Sequence, residues 1–325
     1  MKQANSQCNS LLQEFFQHNQ RQRIWVPAPG DKVGPHEYEK ENVMQLAYVA
    51  ILSFIAMIDM APAFAQGSLE QSSQTSEGLT TGASLDLLTK CAIGRWPNCD
   101  VNDSFERGLI ETGLTPSFPD NAKCRDIDQR YAISYTQVRD REAYHGGIDM
   151  PAPFGTPMIA AAAGTIVAKY EGLGGSGQRG IEIVLRHSPE DTGFPFWIYT
   201  QYAHCDEMSP LKIGQRVRMG DTLCPTGNSG IQVARAKTAR RPAIHFAVFY
   251  SSSKQYADIR NKIIPVDGYW MDPVALFRTN LPLDSVSMRA LPEAEKQVPI
   301  AIMFENGETF PIKTKIVWPY TFTHK

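Results

Sequence analysis

The chain has 325 residues, 42% hydrophobic and 20% charged, with a net charge of −2 and a pI near 6.4. That balance supplies enough apolar material for a sizeable core and excludes wholesale disorder. It also lacks the concentrated basic surface that a phosphate backbone needs, so nucleic acid is not an expected partner; the basic run Arg235–Arg241 reads as a local loop feature.

Residues 1–43 are polar and show no steady apolar period. A short apolar run, Leu46–Ile58, follows, and Ala63 and Ala65 then occupy the small positions of an A-x-A cleavage signal. This is the layout of a secretory signal peptide cut after Ala65. The run falls short of the about 20 apolar residues that span a bilayer comfortably. Met44 stands just before it, so 1–43 is read as an over-extended start or polar leader and 44–65 as the signal. Export to the periplasm or cell envelope is the expectation, with an uncleaved anchor at 46–58 as the alternative.

Cysteine usage is compatible with an oxidising compartment. Cys91 can pair with Cys99, and Cys205 with Cys224, with Cys124 left over or taking one of those partners; no C-x-x-C spacing supports a cysteine zinc knuckle.

Residues 66–130 read as a linker and small helical cap. Residues 66–83 are rich in Ser, Thr, Gly and Gln. Ser84 is the N-cap candidate of a two-turn helix that Trp96-Pro-Asn-Cys-Asp breaks, Asp103–Thr112 is a second short helix, and Pro116, Pro119 and Asp120 mark a loop. From Tyr131 the pattern changes to short alternating runs with Gly and Pro punctuation: Thr156–Tyr170, Gly180–Leu185, Trp197–His204, Arg216–Cys224 and Ala243–Tyr250. Strands at this spacing predict a mainly β domain over 131–280, an all-β sheet or barrel. The glycine cluster Gly172–Gly180 has no strand-Gly-helix context and no Gly-Lys-Ser/Thr, so it is a hairpin loop and not a phosphate cradle. In the extension 281–325, a linker with a short helix precedes two apolar runs, Val298–Phe304 and Thr309–Trp318, flanking Asn306-Gly307, a strong hairpin signal.

Three of the seven histidines sit in strand-like motifs: His145 in Tyr-His-Gly-Gly-Ile-Asp, His204 in Gln-Tyr-Ala-His, and His245 in Ala-Ile-His-Phe-Ala-Val. Catalytic zinc takes three protein ligands and keeps one open position. His145, Asp149 and His245 supply that count, and Gly146-Gly147 lets the backbone bend between the first two. His204 ends a neighbouring strand, placed to act on water or on a carbonyl without being a ligand. Taken singly, each histidine is equally well accounted for by a core or surface role.

Several motifs in order carry a resemblance: His145-Gly-Gly-Ile-Asp149, Pro153-Phe-Gly-Thr-Pro, Ala161-Ala-Ala-Gly-Thr-Ile-Val, Tyr202-Ala-His204, Lys212-Ile-Gly-Gln-Arg-Val-Arg-Met-Gly-Asp, Gly227-Asn-Ser-Gly and Pro242-Ala-Ile-His245-Phe-Ala-Val. Over about residues 140–250 the chain resembles the lysostaphin/LytM-type zinc endopeptidases. The resemblance implies an antiparallel β fold with Zn(2+) in a groove and hydrolysis of peptide bonds in peptidoglycan stems or cross-bridges. It implies His145, Asp149 and His245 as ligands and His204 as one of two catalytic non-ligand histidines. The family's last motif is usually His-x-His, and here Ala243 occupies the first position. His187, Tyr202 and Arg241 are the weighed stand-ins. Two function classes follow: a peptidase, or a catalytically weak zinc-binding module that serves an envelope protein partner.

Overall fold

The computed structural model describes residues 77–123, 135–136, 138–139, 143–171, 180–230 and 242–325. The leader, signal and anchor readings, Cys124, Arg241 and most of the glycine cluster lie outside the described residues.

The frame of the site is a seven-stranded sheet. Its strands are β1 (Ile148–Pro151), β2 (Gly164–Glu171), β3 (Ile181–His187), β4 (Trp197–Cys205), β5 (Arg216–Val217), β6 (Ala243–Ser251) and β7 (Tyr269–Met271). The order is β5-β2-β3-β4-β6-β7, every pairing is antiparallel, and β1 shares the outer edge of β6 with β7. The mainly β architecture expected from the spacing is found, and the pairing within this sheet is antiparallel, as the resemblance implied. The Val, Ile, Tyr and Phe content of β3, β4 and β6 suits a pleated surface. Ile244, Phe246 and Val248 alternate onto one face of β6 and are fully buried. Phe246 lies opposite Tyr202, ring centroids 5.3 Å apart. Burying side chains of this size stabilises the fold by roughly 1.5–3 kcal/mol each.

Among the described residues, two α-helices precede the sheet, α1 (Leu87–Gly94) and α2 (Val101–Glu106). The cap of α1 is Asp86, whose Oδ1 accepts from Thr89 N at 2.7 Å. Ser84, the expected cap, lies instead in a 3-10 turn, Gly82–Ser84. The second helix begins and ends earlier than Asp103–Thr112, because Asp100 caps its start and Gly108 turns left-handed (φ 88°) just past its end. The Cys91–Cys99 disulfide closes the end of α1, and Cys205–Cys224 ties the end of β4 to the strand Thr222–Pro225.

The expected loop at Pro116 contains a strand, Thr115–Ser117, parallel to Gln297–Pro299. The hairpin at Asn306-Gly307 joins Ile302–Phe304 to Thr309–Phe310. Its second strand ends far short of Trp318, since Pro311 removes a ladder donor. Thr321–His324 then pairs with Ile302–Phe304 on one side and Ala122–Lys123 on the other, so the C-terminal segment and the lead-in share sheets.

His187 is a core residue. It is fully buried at the end of β3, with Nδ1 2.7 Å from the Ala163 carbonyl and Nε2 2.7 Å from Thr200 Oγ1. It pairs with Ile198, six residues along β4 from His204, which is about 20 Å of strand. It is therefore no stand-in for a histidine missing at Ala243. Burial pushes its imidazole down to about 4. Its ordinary value is about 6.5, so as pH falls from there toward 4 the unfolded chain takes up a proton that the folded chain refuses. The stability this represents is complete above about pH 6.5, and about 2 kcal/mol of it is gone by pH 5. Asp272, pushed up to about 6 by burial, acts in the opposite sense. Comparing the melting of the parent and His187→Gln at pH 7 and pH 5 isolates the effect: the variant should lose less stability between the two pH values. Equal losses would remove His187 as the acid-sensitive group.

Candidate metal centre

Register brings the distant motifs together. His245 in β6 lies directly opposite Asp149 in β1 on one side and Ala203 in β4 on the other. Directly opposed residues share a face, so the Asp149 and His245 side chains meet on the face that Phe246 and Tyr202 do not use. His145 joins from the turn that enters β1. The three donor atoms converge: His245 Nδ1 is 2.7 Å from Asp149 Oδ1, and His145 Nε2 is 3.2 Å from both. All three residues are buried, with Asp149 only 1% exposed.

The two glycines between His145 and Ile148 serve close approach as well as bending. A Cβ at Gly146 would lie 2.4 Å from the Trp270 ring, and one at Gly147 2.9 Å from His245 Cε1 and 2.7 Å from the Phe246 carbonyl. Gly147→Ala should therefore displace the His245 ring. Zinc affinity should fall about tenfold, the scale set by loss of a group that orients a ligand. An unchanged affinity in equilibrium dialysis would refute this reading of the glycine.

His204 reaches the centre by a backbone irregularity. Regular alternation would place it on the Tyr202 core face. Instead the pairing slips at this point, Glu182 opposing Ala203 while Ile181 opposes Cys205, and His204 takes a left-handed φ of 69°. This β-bulge re-aims the side chain so that the His204 ring lies 5.7 Å from the His245 ring. Such a conformation costs roughly 1–3 kcal/mol and persists only where neighbours enforce it. Ser229 does so: its carbonyl is 2.8 Å from His204 Nδ1, and its hydroxyl donates to the Cys205 carbonyl and accepts from Ile181 N. With the Nδ1 proton donated to that carbonyl, Nε2 carries the lone pair in the neutral ring. Ser229 lies in the Gly227-Asn-Ser-Gly motif, yet no role is legible for it without the bulge.

Electrostatics favours an ionised acid among the imidazoles. Burial alone would raise the Asp149 carboxyl, but His145 and His245 beside it win and hold it well below the usual carboxylate range. Two imidazoles and a carboxylate, buried and converging, fit a zinc ion. Bonds of about 2.0–2.1 Å to a tetrahedral ion separate its donors by about 3.3 Å; the two separations from His145 Nε2 are 3.2 Å, and the His245 Nδ1–Asp149 Oδ1 pair, at 2.7 Å, would open slightly around an ion. Among the described residues, a second group with donors this close, Cys91, Cys99 and Asp103, has its two sulfurs joined to each other.

Ala243 lies on the same face of β6 as His245, two residues before it, buried, with its N–H donating to the Gly227 carbonyl at 3.1 Å. Tyr202 is no substitute base. Its hydroxyl accepts from Ala161 N at 2.8 Å on the core side, and burial pushes it up to about 12.

Residues 143–258, about a third of the chain, match the model of Peptidase family M23. An "uncharacterized metalloprotease" of Haemophilus influenzae is 36% identical over 94 residues, covering 29% of this chain and 18% of that protein. An "uncharacterized metalloprotease" of Buchnera aphidicola subsp. Baizongia pistaciae is 26% identical over 143 residues, 44% of this chain and 33% of that protein. The matches thus span a third or less of these relatives. Among solved structures, the catalytic domain of lysostaphin, an antimicrobial peptidase of Staphylococcus simulans, is similar with 23% identity and a TM-score of 0.29, over 38% of this chain and 81% of that one.

Proposed function

We propose that this chain, which carries a Peptidase family M23 domain at residues 143–258, is an exported zinc endopeptidase that cuts peptide bonds of peptidoglycan stems or cross-links. The observation that carries this reading is the convergence of His145, Asp149 and His245 within 3.2 Å of one another, with His204 turned toward them by a bulge.

In this reading His145 Nε2, Asp149 Oδ1 and His245 Nδ1 hold the metal. Zinc so held supplies a Lewis acid that lowers the pKa of water and polarises a carbonyl. The chain's own residues do the rest. Asp149 supplies the negative charge that balances the site. His204, its Nδ1 proton donated to Ser229, accepts a proton at Nε2 from the attacking water and returns it to the leaving amine. The bulge fixes the ring so that no reorientation is needed at the moment of transfer. The compartment is the periplasm or cell envelope, from the signal read at 44–65.

Ala243 favours a second reading, a zinc-binding but catalytically weak module that serves an envelope protein partner. The two separate in one assay. Zinc-loaded protein incubated with purified sacculi should release soluble muropeptides, and a chelator should stop the release until zinc is returned. Stoichiometric zinc with no release at any enzyme concentration would favour the module.

A further inference from the structure

We infer that Arg95 is a positioning residue for His145, delivered to it by the disulfide-closed turn at the end of α1. This rests on the reading of His145 as a metal ligand. Arg95 follows α1 in a left-handed conformation (φ 54°, ψ 46°), its N–H bonded to the Cys91 carbonyl. The Cys91–Cys99 bridge encloses it. Its guanidinium donates to the Tyr144 carbonyl, immediately before His145. It also lies 5.7 Å from the centre of the Trp270 ring. On the far side of His145, a Cβ at Gly146 would come within 2.9 Å of Arg95 Nη1 and 2.4 Å of Trp270. Arg95 and Trp270 therefore hold both flanks of the ligand.

The grip comes from the helical lead-in. Trp270 Nε1 donates to the Ala92 carbonyl of α1 at 2.9 Å, and Phe105 of α2 meets the Tyr144 ring edge-on at 4.4 Å. His145 precedes β1, and the two glycines after it make this the most permissive backbone of the site. A cation donating to the carbonyl before the ligand is a charge-assisted bond, stronger than a neutral one. It restricts the turn where glycine loosens it. A lead-in with no chemistry of its own thus acquires a role: it sets the position of one ligand.

The test compares Arg95→Ala, Arg95→Lys and Arg107→Ala with the parent. Arg107 belongs to the same lead-in, but its side chain lies over Tyr269 and pairs with Asp86. Cobalt titration followed by absorbance should show Arg95→Ala binding about tenfold or more weakly, as expected when a residue supporting a ligand is lost. Arg95→Lys should recover part of that loss, and Arg107→Ala should stay near the parent. In the metal-free proteins, amide exchange in the peptide spanning 144–149 should quicken in Arg95→Ala alone. Parent-like affinity and exchange in Arg95→Ala would overturn the inference, as would equal losses in Arg107→Ala, which would reduce the lead-in to general stabilisation. A parent that binds no cobalt refutes the ligand reading separately, and the exchange comparison then still decides whether Arg95 holds the turn.

Discussion

Asp149→Ala should abolish zinc binding and, with it, muropeptide release. The carboxylate is 1% exposed and lies within 3.2 Å of both imidazole nitrogens, so in the proposed reading it is at once a donor to the ion and the counter-charge of the site. Losing a residue that merely supports a ligand costs about 10–100-fold in metal affinity, so losing the ligand itself should cost more than about 100-fold. Asp149→Asn is the companion variant. It keeps the volume but not the charge, and it should fail in the same way while preserving the far-UV spectrum. Metal analysis after dialysis reads the result. Stoichiometric zinc in both variants would mean that the donor set is wrong.

The second large effect is a gain. Ala243→His places an imidazole on the face of β6 that already carries His245, at the position where the lysostaphin-like motif has its other histidine. A positioned general acid–base group contributes about 10²–10⁴-fold to a rate. Ala243→His should therefore raise the initial rate of muropeptide release by about 10²-fold, with zinc affinity within a few-fold of the parent. Ala243→Leu, which adds bulk without a base, should not. If Ala243→His binds zinc normally and is no faster, then proton transfer at that position does not limit the reaction and His204 suffices.

Much of this was legible in the sequence, and the reasons differ element by element. The strands were legible because β3, β4 and β6 are runs of β-branched and aromatic residues bounded by Gly, Pro and polar turns. That His145, Asp149 and His245 would converge was legible from their residue types and from the order of their motifs, and the structure brings their donor atoms together. What joins them is register, His245 opposite Asp149, and register depends on contacts a hundred residues apart. The bulge at His204 left no local signal at all. Histidine takes a left-handed φ more often than most residues but far less often than glycine, so its presence alone does not mark a bulge, and the slip becomes visible only when Glu182 is seen opposite Ala203. The place of His187 was hidden for a related reason. It is near the site motifs in sequence, but strand direction carries it to the far end of β4. The caps and ends of the lead-in were placed a few residues off because several capping-competent residues, Ser84 and Asp86, or Asp100 and Asp103, lie close together. The sharing of sheets between residues 115–123 and 297–324 is a tertiary fact with no sequence signature.

The proposed activity is the cleavage of peptide bonds. The most direct measurement is product chemistry: sacculi digested with the zinc-loaded protein, the soluble fragments analysed by mass spectrometry, and new amino groups and new reducing ends counted in parallel. One new amine should appear for every bond cut, with no new reducing sugar ends, and both fragments and amines should be lost in Asp149→Ala. New reducing ends would contradict the proposed activity by showing glycan cleavage, and intact sacculi from a fully zinc-loaded parent would contradict it by showing no cleavage at all.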